Sequence, residues 1–186
     1  LKTPLTSLIL IGDRLEEVIS KKDRYLVKRL KKESKRLRKM VEETLELSKL
    51  ESSESFNKNK KISISDLIME SWQTLKPLAE KKDIKINLFS PTKYYISGDI
   101  ENLKRAFINI FDNAIRYSPT KEGIQIEIFK RASSVVIRVR DKGIGLEENE
   151  SNDIFSRFYR GDPSRTKFKK SGSGLGLSIT KKIINN

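Results

Sequence analysis

Two asparagines lie four positions apart in a segment with helical apolar periodicity. Asn109 and Asn113 share one face of the helix that we predict to begin after the capping residue Asp99 and to end at Tyr117. Carboxamide oxygens are hard ligands, which Mg²⁺ accepts when phosphates already hold part of its coordination shell. The spacing indicates a metal site on this helix face, and the competing interpretation is a pair of surface residues.

A carboxylate and two glycines directly follow a predicted strand. Asp141 stands at the end of the strand predicted over 135–140, with Gly143 and Gly145 at alternate positions after it. The carboxylate can accept a hydrogen bond from an exocyclic amine, and the glycines allow the backbone to pass close to a planar ring. Turns of this composition are also common without a ligand.

A glycine-rich run opens the last predicted helix. Residues 171–179 read Ser-Gly-Ser-Gly-Leu-Gly-Leu-Ser-Ile, and free N–H groups together with the helix dipole favour phosphate at such a place. The run lacks the Gly-Lys-Ser/Thr of a P-loop, and no strand and acidic residue follow it as a dinucleotide-binding fold requires. The long loop over 154–170 carries arginines and lysines that suit a polyphosphate, and its length is typical of a lid or a disordered insert.

The elements that must position these residues form two modules, of which the first is helical. Residues 3–50 have a helical period that is broken at 20–23, which predicts an antiparallel helical hairpin. The apolar stripe of the second helix follows a heptad-like seam of Leu26, Leu30, Leu37, Met40 and Leu47. Two lone helices bury such stripes poorly, so we expect dimerisation into a four-helix bundle.

The second module alternates strands and helices after a polar linker. The strands are predicted over 62–65, 84–89, 94–97, 124–129 and 135–140. The helices are predicted over 65–82 with Ser65 as the cap, over 99–117, and from Gly174 onward. Helices packed against one face of a mostly antiparallel sheet make this module an α/β sandwich, so the fold class of the whole chain is α+β.

The composition excludes several classes of chemistry. The chain of 186 residues has no cysteine and no histidine, which excludes disulfide scaffolds, thiolate or histidine metal sites and Ser-His-Asp hydrolases. The sequence contains no apolar run of membrane-spanning length and no signal peptide. We therefore expect a cytoplasmic location, with any membrane tether in segments outside this chain.

The net charge of +14 raises the question of an anionic partner. Much of it lies on one predicted helix, since eleven lysines and arginines stand against two acidic residues between 21 and 40. The favoured interpretation is a solvated helix face. A docking surface for an acidic protein is the second interpretation, and a nucleic-acid surface is the least favoured. Interleaved aromatic residues and a known reading motif are absent, so nucleic acid is not expected.

The order of these motifs resembles that of the sensor histidine kinases. Residues 109–119 resemble the N box, 141–145 the first glycine box, 154–160 the F box and 172–177 the second glycine box, while Leu1-Lys-Thr-Pro-Leu-Thr is similar to the end of the H box. The resemblance implies a dimerisation and phosphotransfer hairpin over 1–52, a linker over 53–61 and a GHKL-type ATP-binding domain over 62–186. It also implies that the acceptor histidine stands two positions before Leu1 and that the last strands of the sheet follow Asn186.

The resemblance assigns roles at the base end of an ATP site. It makes Asp141 the partner of the adenine amino group and places Tyr117 against the base. Gly143 and Gly145 would give the base access to the backbone.

It also assigns roles at the phosphate end. Asn113 would coordinate Mg²⁺ with Asn109 nearby, and Arg116 and Arg160 would approach the phosphates. The backbone of the glycine run would close over the phosphates at Gly172, Gly174, Leu175 and Gly176. The catalytic roles fall to Asn109, Arg160 and Thr3, the last through a phosphatase-type orientation of water.

The activity implied is ATP-dependent phosphorylation of a histidine, followed by transfer to an aspartate on the receiver domain of a response regulator. The implied cofactors are ATP and Mg²⁺, and the implied assembly is a homodimer. Two alternatives stay open at this point: another ATPase of the same superfamily, and a basic nucleic-acid-binding protein. A degenerate kinase is a third, which the presence of Asn109, Asn113 and Asp141 disfavours.

Overall fold

The computed structural model describes residues 2–20, 23–52, 60–147, 150–161 and 172–185. Two helices come first, and strands and helices then alternate. In chain order the elements are α1 (Lys2–Val18), α2 (Arg24–Ser52), β1 (Lys60–Ser63), α3 (Ile64–Glu80), β2 (Lys85–Phe89), β3 (Tyr95–Gly98), α4 (Ile100–Tyr117), β4 (Gly123–Arg131), β5 (Ser134–Arg140), α5 (Glu150–Asp153) and α6 (Gly176–Asn185). Among the residues so described, no helix is apolar over a length that would cross a membrane.

The helices α1 and α2 pack against each other as the predicted hairpin. Lys31 on α2 binds two carboxylates of α1, with its Nζ 2.7 Å from Asp13 Oδ1 and 2.5 Å from Glu16 Oε2. Gly12 is buried beneath the stem of that lysine, because a Cβ at Gly12 would lie 2.7 Å from Lys31 Cγ. The hairpin is therefore joined by a close helix contact and a charge cluster.

The predicted heptad seam of α2 is only partly buried within one chain. Leu47 is buried, whereas Leu26, Leu30 and Leu37 are between 45% and 60% exposed. The face of α2 that the single chain buries includes Val27 instead. The prediction of the helices is thus confirmed, and most of the seam remains on the surface of the single chain.

The strands divide between two sheets. β1 pairs with β3 in an antiparallel ladder, while β2, β4 and β5 form a second sheet in that order. Within it β2 runs parallel to β4, and β4 runs antiparallel to β5. Two of the three pairings are antiparallel, as predicted for the sheet, but one continuous sheet does not form among the described strands.

The predicted boundary between β1 and α3 is wrong. β1 ends at Ser63, where its pairing with Tyr95 of β3 ends, and α3 begins at Ile64. Ser63 rather than Ser65 occupies the N-cap position, and it makes no side-chain capping bond. The strand ends where its pairing with β3 ends. Ile64, the first residue of the helix, is buried in the core.

The main core lies between the helices α3 and α4 and the inner face of the second sheet. Phe111 stacks on Phe107 at 5.9 Å between ring centroids and meets Trp72 edge-on at 6.1 Å. Alternate residues of β4 are fully buried beneath these rings: Ile124, Ile126 and Ile128. Burying each such side chain stabilises the fold by about 1.5–3 kcal/mol. The α/β sandwich and the α+β class are confirmed.

A second apolar cluster joins the hairpin to this domain. Leu47 and Leu50 at the end of α2 pack against Ala106 of α4 and against Leu175, Ile179 and Ile183. Arg105 on α4 forms an ion pair with Glu46 of α2. Burial lowers the pKa of Arg105. The end of α2 therefore packs against α4 and α6 directly.

Candidate active site

Helix α4 carries four of the predicted site residues. The Asp99 side chain caps its first turn by accepting a hydrogen bond from the backbone N–H of Asn102 at 3.0 Å. Phe107, Phe111 and Ile115 recur every four residues and bury one face in the core. The other face is turned away from that core and carries the predicted site residues: Asn109, Asn113, Arg116 and Tyr117.

The two asparagines have different surroundings. Asn109 donates its side-chain amide to the carbonyl oxygen of Gly176 at 3.1 Å, so it binds the first residue of α6. Asn113 is half-buried, and its side chain makes no hydrogen bond within the described ranges. Its amide is free to bind a ligand, while Asn109 retains its oxygen as an acceptor.

The turn after β5 rests on the end of α4. Asp141 accepts a hydrogen bond from the N–H of Gly143 at 2.7 Å, and its side chain is exposed. A Cβ at Gly143 would lie 2.6 Å from Asp141 Oδ1 and 3.2 Å from the carbonyl oxygen of Tyr117, so a side chain there would displace the Asp141 carboxylate. Gly145 has a φ of +70° and open space around its Cβ position.

The glycine run lies against the end of the F-box segment. Gly174 has a φ of +80°, and a Cβ there would lie 2.7 Å from the backbone carbon of Phe158 and 2.8 Å from the oxygen of Tyr159. Tyr159 is held in turn, because its hydroxyl donates to Glu150 at 3.0 Å. Burial and this hydrogen bond raise the pKa of Tyr159. Gly172, by contrast, has nothing within 4 Å of its Cβ position.

The remaining predicted site residues differ in their burial and in their contacts. Leu175 is buried in the cluster that joins the hairpin, so only its backbone is available to a ligand. Arg160 is half-buried and follows Tyr159 directly. Arg116 pairs with Asp112 at 2.7 Å, and Tyr117 is 41% exposed.

Helix α4 thus contacts two motifs, the glycine run through Asn109 near its middle and the Asp141 turn through Tyr117 at its C-terminal end. Thr3 lies in α1, and its side chain is outside the described residues. Within the ranges described, no group of three acidic, histidine or cysteine side chains could hold a metal ion.

Comparison with known families decides the identity. Residues 1–53 match the His Kinase A (phospho-acceptor) domain, and residues 98–186 match the histidine kinase-, DNA gyrase B- and HSP90-like ATPase family. The chain belongs to the sensor histidine kinases. The second match covers residues 98–186, from the end of β3 onward, and implies that this part of the chain binds ATP.

Relatives of this kinase cover nearly its whole sequence. The sensor protein SphS of Synechococcus elongatus is 34% identical over 99% of the chain and 46% of its own length. The sensor-like histidine kinase SenX3 of Mycobacterium tuberculosis is 33% identical over 100% of the chain and 46% of its own length. The chain therefore spans about half the length of the curated relatives it matches.

Solved structures give the same fold. The mycobacterial sensor histidine kinase MprB is 26% identical, with a TM-score of 0.58 over 68% of this chain and 78% of that chain. Full-length ShkA, crystallised with AMPPNP, is 22% identical with a TM-score of 0.75 over 98% of this chain and 38% of its own. At that identity the likeness to ShkA shows the fold alone.

One further residue contacts the end of α4, and nothing in the sequence predicts its position. Lys82, in the turn between α3 and β2, donates hydrogen bonds to the carbonyl oxygens of Ile115, Arg116 and Ser118. Its partners lie at least 33 positions away in the chain. The Lys-Lys-Asp sequence around it looks like an ordinary exposed turn, so no local signal marks it.

Proposed function

We propose that this chain is the kinase core of a sensor histidine kinase, which uses ATP to phosphorylate a histidine and passes the phosphoryl group to an aspartate of a response regulator. The observation that carries the proposal is the pair of contacts made by α4. Asn109 meets the glycine run at Gly176, and Tyr117 meets the Asp141 turn at Gly143. One helix thereby aligns a carboxylate suited to the base with backbone suited to the phosphates.

At the base end, the exposed carboxylate of Asp141 accepts a hydrogen bond from the adenine amino group. Gly143 holds one carboxylate oxygen through its N–H, which orients the other oxygen outward. The open space at Gly145 admits the ring. Tyr117, which is partly exposed, borders the base.

At the phosphate end, the backbone N–H groups that open α6 and the arginines neutralise negative charge. Asn113, whose amide makes no hydrogen bond to the described part of the chain, and Asn109, through its remaining acceptor oxygen, would hold Mg²⁺. The bound ion supplies charge neutralisation on the phosphates. Arg160 stabilises the charge that develops as the bond to the leaving ADP breaks.

The chemical step is an in-line displacement. An imidazole nitrogen of the acceptor histidine forms a bond to the γ-phosphorus, and the bond from that phosphorus to the bridging oxygen breaks. ADP leaves with the electron pair of the broken bond, and the phosphorylated ring releases the proton on its other nitrogen to water. The described residues contribute position and charge to this step.

Nucleotide titration tests the proposal. Calorimetry of the 186-residue chain with ATP and Mg²⁺ is expected to show binding, and Asp141→Ala is expected to weaken it by about tenfold or more, the effect of losing one good hydrogen bond to a charged group. Absence of binding, or full binding by Asp141→Ala, would contradict the proposal. A chain extended upstream through the complete H box should also incorporate label that is stable to alkali and labile to acid, whereas acid-stable label would indicate serine or threonine.

We also propose that the chain forms a homodimer through the hairpin. Leu26, Leu30 and Leu37 expose apolar surface along one helix, and a second hairpin would cover it. Light scattering after gel filtration should give a dimer for the native chain. A monomer mass for Leu30→Glu and a dimer for the exposed-position control Lys32→Glu would support the interface.

The proposed partner and location follow from the same assignment. The basic face of α2 offers charge complementary to an acidic receiver domain, and we place the kinase core in the cytoplasm, with membrane attachment only through segments outside this chain. Binding of a cognate receiver domain should weaken as salt is raised.

A further inference from the structure

The ammonium group of Lys82 crosses from one turn of the domain to the end of another helix. Its Nζ lies 2.8 Å from the carbonyl oxygen of Ile115, 2.7 Å from that of Arg116 and 2.9 Å from that of Ser118. The last carbonyls of a helix lack partners within the helix, and an ammonium group has three donors. Lys82 therefore closes the C-terminal end of α4 from outside.

Lys82 binds the same backbone segment, at the end of α4, that contacts the proposed adenine-binding end of the site. Tyr117 lies between Arg116 and Ser118 in the sequence, and its carbonyl oxygen is the backbone atom that approaches Gly143. A shift of this segment would move Tyr117 and the Asp141 turn relative to each other. Through its three hydrogen bonds to backbone carbonyls, the lysine holds the end of α4, which includes Tyr117 and leads into the segment that approaches the Asp141 turn.

We propose that Lys82 is a positioning residue for adenine recognition. By holding the end of α4, it keeps Tyr117 and Asp141 at the separation that favours an amino-substituted purine. The inference rests on the proposed function, because it concerns the base end of the same ATP site.

The surroundings of Lys82 leave little to replace its hydrogen bonds. Ser118 is fully buried, and its hydroxyl has no hydrogen-bond partner among the described residues. Burial lowers the pKa of Lys82, and the charge of Arg116 lowers it further. The ammonium is partly buried, and its removal would leave three backbone carbonyls without this donor.

A backbone hydrogen bond beside Lys82 should allow a variant with a different side chain at this position to fold. The N–H of Lys121 donates to the carbonyl oxygen of Lys82 at 2.8 Å, which joins the same two turns independently of the side chain. Substitution of the side chain would therefore loosen the end of α4 without separating the turns. Lys81 is exposed and adjacent, so it provides a control for the loss of one positive charge.

The test compares two nucleotides on three proteins: the native chain, Lys82→Met and Lys81→Met. Dissociation constants for ADP and for inosine diphosphate, which has an oxygen in place of the amino group, are measured by calorimetry on the 186-residue chain. The native chain is expected to prefer ADP. Lys82→Met should weaken ADP binding by about tenfold, the loss of one or two hydrogen bonds, and should leave inosine diphosphate nearly unchanged, so that the preference collapses. Lys81→Met should match the native chain.

Each other outcome bears on the inference. If Lys82→Met keeps the native preference for ADP, or loses both nucleotides equally in step with a lower melting temperature, Lys82 has no positioning role. Should Lys82→Met not fold, Lys82→Gln, which keeps an amide donor, takes its place: a reduced preference supports the role and a native preference overturns it. If the native chain binds neither nucleotide, the proposed function itself fails.

Discussion

The side-chain amide of Asn109 donates a hydrogen bond to the carbonyl oxygen of Gly176 at 3.1 Å, across 67 positions of sequence. The hydroxyl of Thr180 donates to the same oxygen at 2.9 Å. The asparagine therefore links the helix of the N box to the first turn of the helix that follows the glycine run. The hydrogen bond therefore joins the two motifs that we propose to bind the phosphates.

This contact distinguishes the two asparagines. Asn109→Ala should lower the free energy of unfolding by about 1 kcal/mol, because it removes a hydrogen bond that Gly176 accepts. Asn113→Ala should leave stability unchanged and abolish the gain in ATP affinity that Mg²⁺ provides. Urea denaturation and calorimetry with and without Mg²⁺ measure the two effects. A full Mg²⁺ effect in Asn113→Ala would remove it from the metal site.

Two glycines of the same run should respond differently to alanine. Gly174→Ala places a methyl group 2.7 Å from the backbone of Phe158 at a φ of +80°, so it should cost about 2 kcal/mol or more of stability. Gly172→Ala meets open space and should change stability by less than about 0.5 kcal/mol. Urea denaturation of both variants checks this, and equal stabilities would show that the contact with Phe158 is absent in solution.

The contact between the hairpin and the ATP-binding domain is open to a similar test. Ile179 is fully buried in the cluster that contains Leu47 and Leu50, and Ile179→Ala should cost about 2–5 kcal/mol. Ile184 lies on the same helix and is 59% exposed, so Ile184→Ala serves as the control. The melting temperature should fall by a large amount only for Ile179→Ala. Similar small shifts for both would mean that α6 does not pack against the hairpin.

The charge cluster of the hairpin predicts a loss of stability in acid. Hydrogen bonds from Lys31 lower the pKa of Asp13 and of Glu16 below their ordinary values. The unfolded chain therefore binds more protons than the folded chain below about pH 4. The stabilisation is fully present above that pH and is lost as the pH falls through the lowered pKa values.

The same hydrogen bonds raise the pKa of Lys31, so its stabilisation persists to high pH and is lost only as the pH rises through that raised value. The free energy of unfolding of the native chain, measured by urea denaturation with circular dichroism of the helices as the signal, should fall between pH 6 and pH 3. Lys31→Met should flatten the profile, while Lys32→Met, at an exposed position, should not. Parallel profiles for the native chain and Lys31→Met would contradict the cluster.

The sequence by itself determined the elements whose signals are local. The bounds of α4 follow from the cap at Asp99 and the four-residue apolar period, and both are confirmed. The motif order also determined the family, because each box has its own residue types. The start of α3 could not be predicted in the same way, since it depends on where β1 stops pairing with β3.

Only the tertiary structure decided how the motifs meet. The bond from Asn109 to Gly176, the closure of α4 by Lys82 and the contact of Gly174 with Phe158 join residues that are between 16 and 67 positions apart. The side-chain types at these positions are compatible with ordinary surface or turn residues. Their roles arise from the packing of helices and turns against one another, and local spacing carries no information about distances of that kind.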